Sequence, residues 1–214
     1  VLTGKDFSLS QKIRWLRLLI RAGFDRRFDD LVGVIFGLIP KDKLVVVDVG
    51  ANVGIYSLYS AIVKQNKVYA FEPHAASYKN LLDSINLNNL TNCHAYCVAL
   101  SNQVGLTNIK VKNMHEGVAD NVVGERGDYY HGCTEFPLHF LVQRKILPQP
   151  DYIKIDVDGY EDKVIEGAME VFINCKGLLI EIEHRHSNFV DMIIASGFTL
   201  ESQHKRNDQE YNYI

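Results

Sequence analysis

Cysteine is scarce in this chain of 214 residues, with only Cys93, Cys97, Cys133 and Cys175, and none of them forms a CxxC pair. That number is too small for a disulfide scaffold at this length, so buried reduced thiols are expected. Long apolar runs are also missing. The strongest, Leu31 to Pro40, contains two glycines and falls far short of the ~18 residues of a membrane span, so stable membrane insertion is not expected. No charge of one sign dominates, because 23 Lys and Arg face 26 Asp and Glu, a formal net charge of −3. A balance that close to neutral argues against nucleic acid as a partner. The N-terminus lacks a signal-peptide layout, since Arg14, Arg17 and Arg21 interrupt its apolar residues. A soluble, cytoplasmic protein is the expectation.

The pattern divides into a helical extension over 1–40 and one α/β domain over 41–214. Ser8 to Gly23 reads as a basic amphipathic helix with Ile13, Leu16 and Ile20 on one side, and Phe28 to Ile39 as a second helix stopped by Pro40. After Pro40 the spacing changes. Leu44 to Val49 is a short β-branched run of the kind that forms a strand buried on both faces. Gly50 to Gly54 breaks it, and Ile55, Leu58, Tyr59 and Ile62 follow at helical spacing. A strand at Lys67 to Phe71, a helix from Pro73 to Asn88 and a strand from Cys93 to Leu100 come next. Further on, Asp151 to Val157 is a fourth strand, Tyr160 to Phe172 a helix and Gly177 to Glu183 a fifth strand. A helix from Ser187 to Ser196 stops at Gly197, and Phe198 to Glu201 is expected to pair with Tyr211 to Ile214 as an antiparallel hairpin at the sheet edge. Strands alternating with helices in this way predict a doubly wound, mostly parallel sheet covered on both faces.

The insert 101–150 does not fit the alternation. A strand at Leu106 to Lys112 and a helix at Leu138 to Ile146 are its legible parts. Inserts of this size in compact domains are often binding loops, so it is the candidate acceptor region.

Three signals gather where a doubly wound sheet binds ligands, at the carboxyl ends of its strands. Asp48, Gly50, Asn52 and Gly54 form a strand–turn–helix junction in which Gly50 turns the backbone and Gly54 lets the helix start close to the sheet. Glu72 closes the next strand, where a carboxylate can accept from two adjacent ribose hydroxyls. A dinucleotide loop needs a bare second glycine beside the pyrophosphate, and Asn52 stands in that place. The pair therefore points to a nucleoside such as S-adenosylmethionine, with a nicotinamide-dependent oxidoreductase or a non-catalytic nucleoside-binding module as rivals. The third signal is Asp156 and Asp158, which share one face at the tip of the fourth strand. Glu181 and His184 end the fifth strand in the same way. Asp156 is the favoured proton acceptor, with Glu181 and His184 behind it. No resident metal is expected, although Asp156, Asp158 and Glu181 are a less favoured divalent-ion set.

The segments VVVDVGANVGIYSLYSA, AFEPHAASYKNLLDSINLNN, VALSN and DYIKIDVDGYEDKVIEGA together resemble the FkbM family of S-adenosylmethionine-dependent methyltransferases, over roughly residues 44 to 214. The resemblance implies a class I methyltransferase (Rossmann-like) fold and O-methylation of a small-molecule acceptor such as a sugar, a polyketide or a related metabolite. It also implies that Asp48, Gly50, Asn52 and Gly54 form the cofactor loop and that Glu72 holds the ribose. Ala99, Leu100 and Ser101 would then lie near the adenine, and Asp156 near the reacting methyl. The family usually carries Glu where this chain has Asp158.

Overall fold

A computed structural model describes residues 43–62, 65–111, 122–123, 129–183, 188–200, 203–205 and 210–213. The helical extension expected over 1–40 lies outside the described residues, as does His184. Among the described residues no helix is long and apolar enough to cross a membrane.

The β-branched run forms β1 (Val45–Val49), followed by α1 (Ile55–Ile62), β2 (Lys67–Phe71), α2 (Ala75–Leu87) and β3 (Cys93–Tyr96). A short β4 (Ala99–Leu100) follows, and the insert contributes β5 (Gly105–Val111), β6 (Val122–Val123), β7 (Tyr129–Phe136) and α3 (Leu138–Gln143). The chain then runs through β8 (Tyr152–Ile155), α4 (Glu161–Phe172), β9 (Gly177–Glu183), α5 (Asn188–Ala195), β10 (Gln203–Lys205) and β11 (Glu210–Tyr213). The main sheet has seven strands in the order β10-β11-β9-β8-β1-β2-β3. Strands β3 to β9 of that order pair in parallel, and β11 pairs antiparallel with both β9 and β10. This is the expected doubly wound sheet with an antiparallel edge hairpin. Strand order reverses between β1 and β8, the place where such sheets open a ligand crevice.

Alternation along each strand builds two apolar layers. Val46, Val68 and Ala70 pack with Leu58 and Ala61 of α1 and with Leu81 and Ile85 of α2. Val47, Val49, Phe71 and Ile155 belong to the opposite cluster with Val164, Ile165, Ala168 and Phe172 of α4 and Phe189 and Ile193 of α5. Covering both faces explains why β1 is apolar at every position but Asp48 rather than alternating.

Three expectations shift. The strand predicted over Cys93 to Leu100 divides, because Ala99 and Leu100 leave the main sheet to pair with Glu135 and Phe136 of β7. The described residues of the insert join β4 in a second, four-stranded sheet, β4-β7-β5-β6, with Ile109 and Cys133 facing the main core. The helix placed from Pro73 starts at Ala75, since the His74 ring accepts the Ser77 N–H and so supplies the cap. The edge hairpin pairs Gln203–Lys205 with Tyr211–Tyr213, a few residues beyond Phe198 to Glu201. All four cysteines are free thiols.

The two sheets are locked together by a close approach at Gly167 of α4, where a Cβ would stand 1.8 Å from the carbonyl oxygen of Ser101. Gly167→Ala is expected to force α4 away from the end of β4 and to destabilise the fold by ~1 to 3 kcal/mol. Urea unfolding of the two proteins measures this, and equal stability would show that the contact is not tight.

Candidate active site

Gly50 has φ +72°, in the left-handed region, and a Cβ there would fall 1.9 Å from the Asp156 carbonyl oxygen. Both requirements exclude a side chain. The turn is stitched over the end of β2 by the N–H groups of Gly50 and Ala51, which both donate to Phe71 O at 3.0 Å. Asn52 is also left-handed, at φ +50°, and Gly54 starts α1 against Leu81.

The turn reaches Glu72 directly. Asn52 N donates to Glu72 Oε2 at 2.7 Å, and His74 N donates to Oε1 at 2.8 Å. Burial holds the Glu72 carboxyl well above its usual range, at about 7, although both backbone donors and the charge of Lys154 favour the ionised form. The His74 ring is itself buried and lies edge-on to His131 of β7, with centroids 6.2 Å apart. Burial, with His131 as a second cause, lowers its pKa.

At the switch point, β1 and β8 pair with Asp48 opposite Lys154 and Val49 opposite Ile155. Lys154 is the residue at the centre of this cluster that reading by motif did not single out. Its ammonium lies 3.1 Å from Asp48 Oδ1, 3.2 Å from Asp156 Oδ2 and 2.9 Å from Gly50 O, and stands over the Tyr56 ring at 5.0 Å. Asp48, only 1% exposed, also accepts from Ser57 Oγ. Burial opposes the charge on Lys154, yet the carboxylates of Asp156 and Asp48 outweigh it and raise its pKa. The signal was present, because a lysine inside a buried strand requires a partner, and strand alternation puts Asp156 on its face.

Of the other expected residues, Glu181 is buried on β9, one step past the Ile155–Ile180 pair, so it flanks Asp156 on the neighbouring strand. Its charge, after burial, Asp156 and Asp48, is among the causes that raise the pKa of Tyr56. Ala99, Leu100 and Ser101 are buried at the junction of β4 and β7. Ser101 is engaged there by Phe136 O and Gln103 rather than by the Glu72 cluster. Asp48, Gly50, Asn52, Glu72 and Asp156 are thus brought together, and Ala99 and Leu100 share an apolar cluster with Val49 and Phe71 at the ends of β1 and β2. Among the described residues no group of three His, Cys, Asp or Glu side chains is placed to hold a metal ion.

A mostly parallel sheet in this order, with a glycine turn after β1 and a carboxylate closing β2, is the arrangement of the class I S-adenosylmethionine-dependent methyltransferase fold. Solved structures share the fold. Precorrin-6y C5,15-methyltransferase from Geobacter metallireducens superposes with a TM-score of 0.52 at 13% identity, covering 86% of each chain. A putative tRNA methyltransferase from Streptococcus pneumoniae gives 0.54 at 11% identity, over 88% of this chain and 68% of that one. Identities this low establish the fold alone. A search of curated proteins found no match. Residues 48–210 match the methyltransferase FkbM domain, and the chain belongs to that family. Its cofactor is S-adenosylmethionine.

The raised pKa of Glu72 has a measurable consequence. A carboxyl that titrates near 7 when folded and near ~4.3 when unfolded binds more protons in the native state between those values, so its contribution to stability falls as pH rises through that window. Wild type relative to Glu72→Gln is expected to lose on the order of 1 to 3 kcal/mol between pH 4.5 and pH 8. Denaturant unfolding at both pH values reads the difference, and a constant gap would contradict it.

Proposed function

We propose that the chain transfers a methyl group to a hydroxyl oxygen of a small molecule, a sugar, polyketide or related metabolite, with Asp156 as the group nearest the acceptor. The observation that carries this reading is the contrast between the two carboxylates on Lys154. The Asp48 side chain is 1% exposed and the Asp156 side chain 32%. Only Asp156 is open enough to meet a substrate from solvent.

Two features support the fit of S-adenosylmethionine to this loop. Asn52 Oδ1 is buried and has no hydrogen-bond partner in the protein, which suits a ligand ammonium donating to it. Each Glu72 oxygen accepts one backbone N–H and retains a further lone pair for a ribose hydroxyl. The cofactor supplies an electrophilic methyl on a cationic sulfur. The chain's own part is to align the acceptor oxygen in line with the methyl, a gain of up to ~7 to 11 kcal/mol in the best intramolecular cases, and to accept its proton. The new O–C bond forms as the C–S bond breaks with its electron pair on sulfur, and the hydroxyl proton passes to Asp156. Glu181 is the alternative acceptor of that proton. A near-neutral surface supports a small acceptor over a nucleic acid. Lys154 already supplies a cation between the carboxylates at this tip, which supports a site that works without a metal.

Calorimetry with S-adenosylhomocysteine is expected to show Glu72→Ala weakening binding by ~1 to 3 kcal/mol. Against a panel of hydroxylated metabolites, Asp156→Asn is expected to lower turnover of the accepted one by ~10² to 10⁴, with wild-type turnover undiminished in chelator. Methylation of RNA or protein with none of the panel modified would overturn the small-molecule reading.

A further inference from the structure

The ammonium of Lys154 sits where an inorganic cation would be expected, enclosed by oxygen atoms from both sides of the crevice. It donates to Gly50 O at 2.9 Å and to Val49 O at 3.4 Å and forms ion pairs with Asp48 Oδ1 at 3.1 Å and Asp156 Oδ2 at 3.2 Å, with the Tyr56 ring 5.0 Å away. Two of these contacts are to backbone carbonyls at the turn that carries Asn52. The other two are to the carboxylates that end β1 and follow β8. One side chain therefore ties the position of the turn to the position of Asp156 and sets the charge between them. Desolvating an ammonium costs several kcal/mol, and apolar residues of similar volume would hold two strands together as well or better. A purely structural role does not require this residue.

We propose that Lys154 is a positioning residue for methyl transfer, which fixes Asp156 against the Gly50 turn and reduces the charge facing the cofactor's sulfur from −2 to −1. This rests on the reading that places Asp156 beside the reacting methyl. The cofactor enters with a positive sulfur and leaves, as S-adenosylhomocysteine, with a neutral one. A site of charge −2 would hold the cation tightly in the ground state, where the bond to be broken is intact. A charge of −1 relaxes that grip, and the ammonium between Asp156 and Asp48 offsets their mutual repulsion. Among the described residues, the other titratable groups that act on the cluster are Tyr56 of α1, Glu72 just after β2, Cys93 of β3 and Glu181 of β9.

The test requires no acceptor. Affinities for S-adenosylmethionine and S-adenosylhomocysteine are measured by calorimetry at pH 8.5, where Glu72, raised to about 7, is ionised and tyrosine is not. In Lys154→Met both ligands lose affinity in common as the turn loosens, and the ratio of affinities moves toward S-adenosylmethionine by about five- to twentyfold. Equal weakening of the two ligands is what a packing role alone gives, and it overturns the proposal. Asp156→Asn, which keeps the lysine, moves the ratio the other way. An unchanged ratio there, beside a shifted one in Lys154→Met, removes Asp156 from the neighbourhood of the methyl and leaves charge-setting through Asp48. Should Lys154→Met fail to fold, Asp48→Asn retains the ammonium and takes the local charge from −1 to zero. The ratio then moves toward S-adenosylhomocysteine, and an unmoved ratio overturns the proposal.

Discussion

Everything at this site depends on the parallel pairing of β1 with β8 at the point where strand order reverses. The register that sets Asp48 opposite Lys154 also sets Val49 opposite Ile155, so the next residues, Gly50 and Asp156, meet backbone to backbone. A slip of one residue would turn Lys154 to the other face, into the apolar layer with α4. A buried ammonium without partners is so unfavourable that the ion cluster acts as a register lock as well as a charge device. The lock is two-sided, because Asp48 is nearly inaccessible and cannot lose Lys154 without becoming an unpaired buried charge.

Glu72 shows the opposite compromise. Its carboxylate is held by two backbone N–H groups, which organise the turn and the start of α2, yet burial keeps it reluctant to ionise. A neutral isostere would relieve that cost in the empty protein. Keeping an ionisable carboxyl there, at some expense of stability, is the pattern of a group whose advantage is realised only with a ligand present.

The parts of this arrangement legible in the sequence were those encoded locally. A β-branched run, a glycine turn and helical spacing within Leu44 to Ile62 gave β1, the turn and α1, and the acid closing the next strand gave Glu72. Lys154 was read only as part of a motif, because its meaning lies in a cross-strand neighbour 106 positions away, at Asp48. The same limit hid β7, whose residues Tyr129–Phe136 include two glycine-flanking polar positions and pair antiparallel with β5 across a long connection. Pro73 marked a helix start correctly to within two residues, and the imidazole of His74 displaced the boundary by capping Ser77. The edge hairpin moved because a mostly polar segment specifies register only weakly.

The ordered insert changes how specificity is divided in the molecule. Its inward face contributes His131 beside His74, and its last strand buries Glu135 completely, where the carboxylate accepts from Gln103 Nε2 at 2.6 Å and Tyr160 Oη at 3.0 Å. Tyr160 begins α4 immediately after the loop carrying Asp156 and Asp158. The second sheet is therefore joined to the main one at both sides of the crevice, next to Glu72 through the histidine pair and next to Asp156 through Glu135 and Tyr160. A sheet anchored at two such points holds a fixed shape over the strand tips, unlike a free loop. Substitutions on its inward face can then be made while β1, β2 and β8 keep the turn, Glu72 and Asp156 in place, so the second sheet can vary without disturbing that cluster.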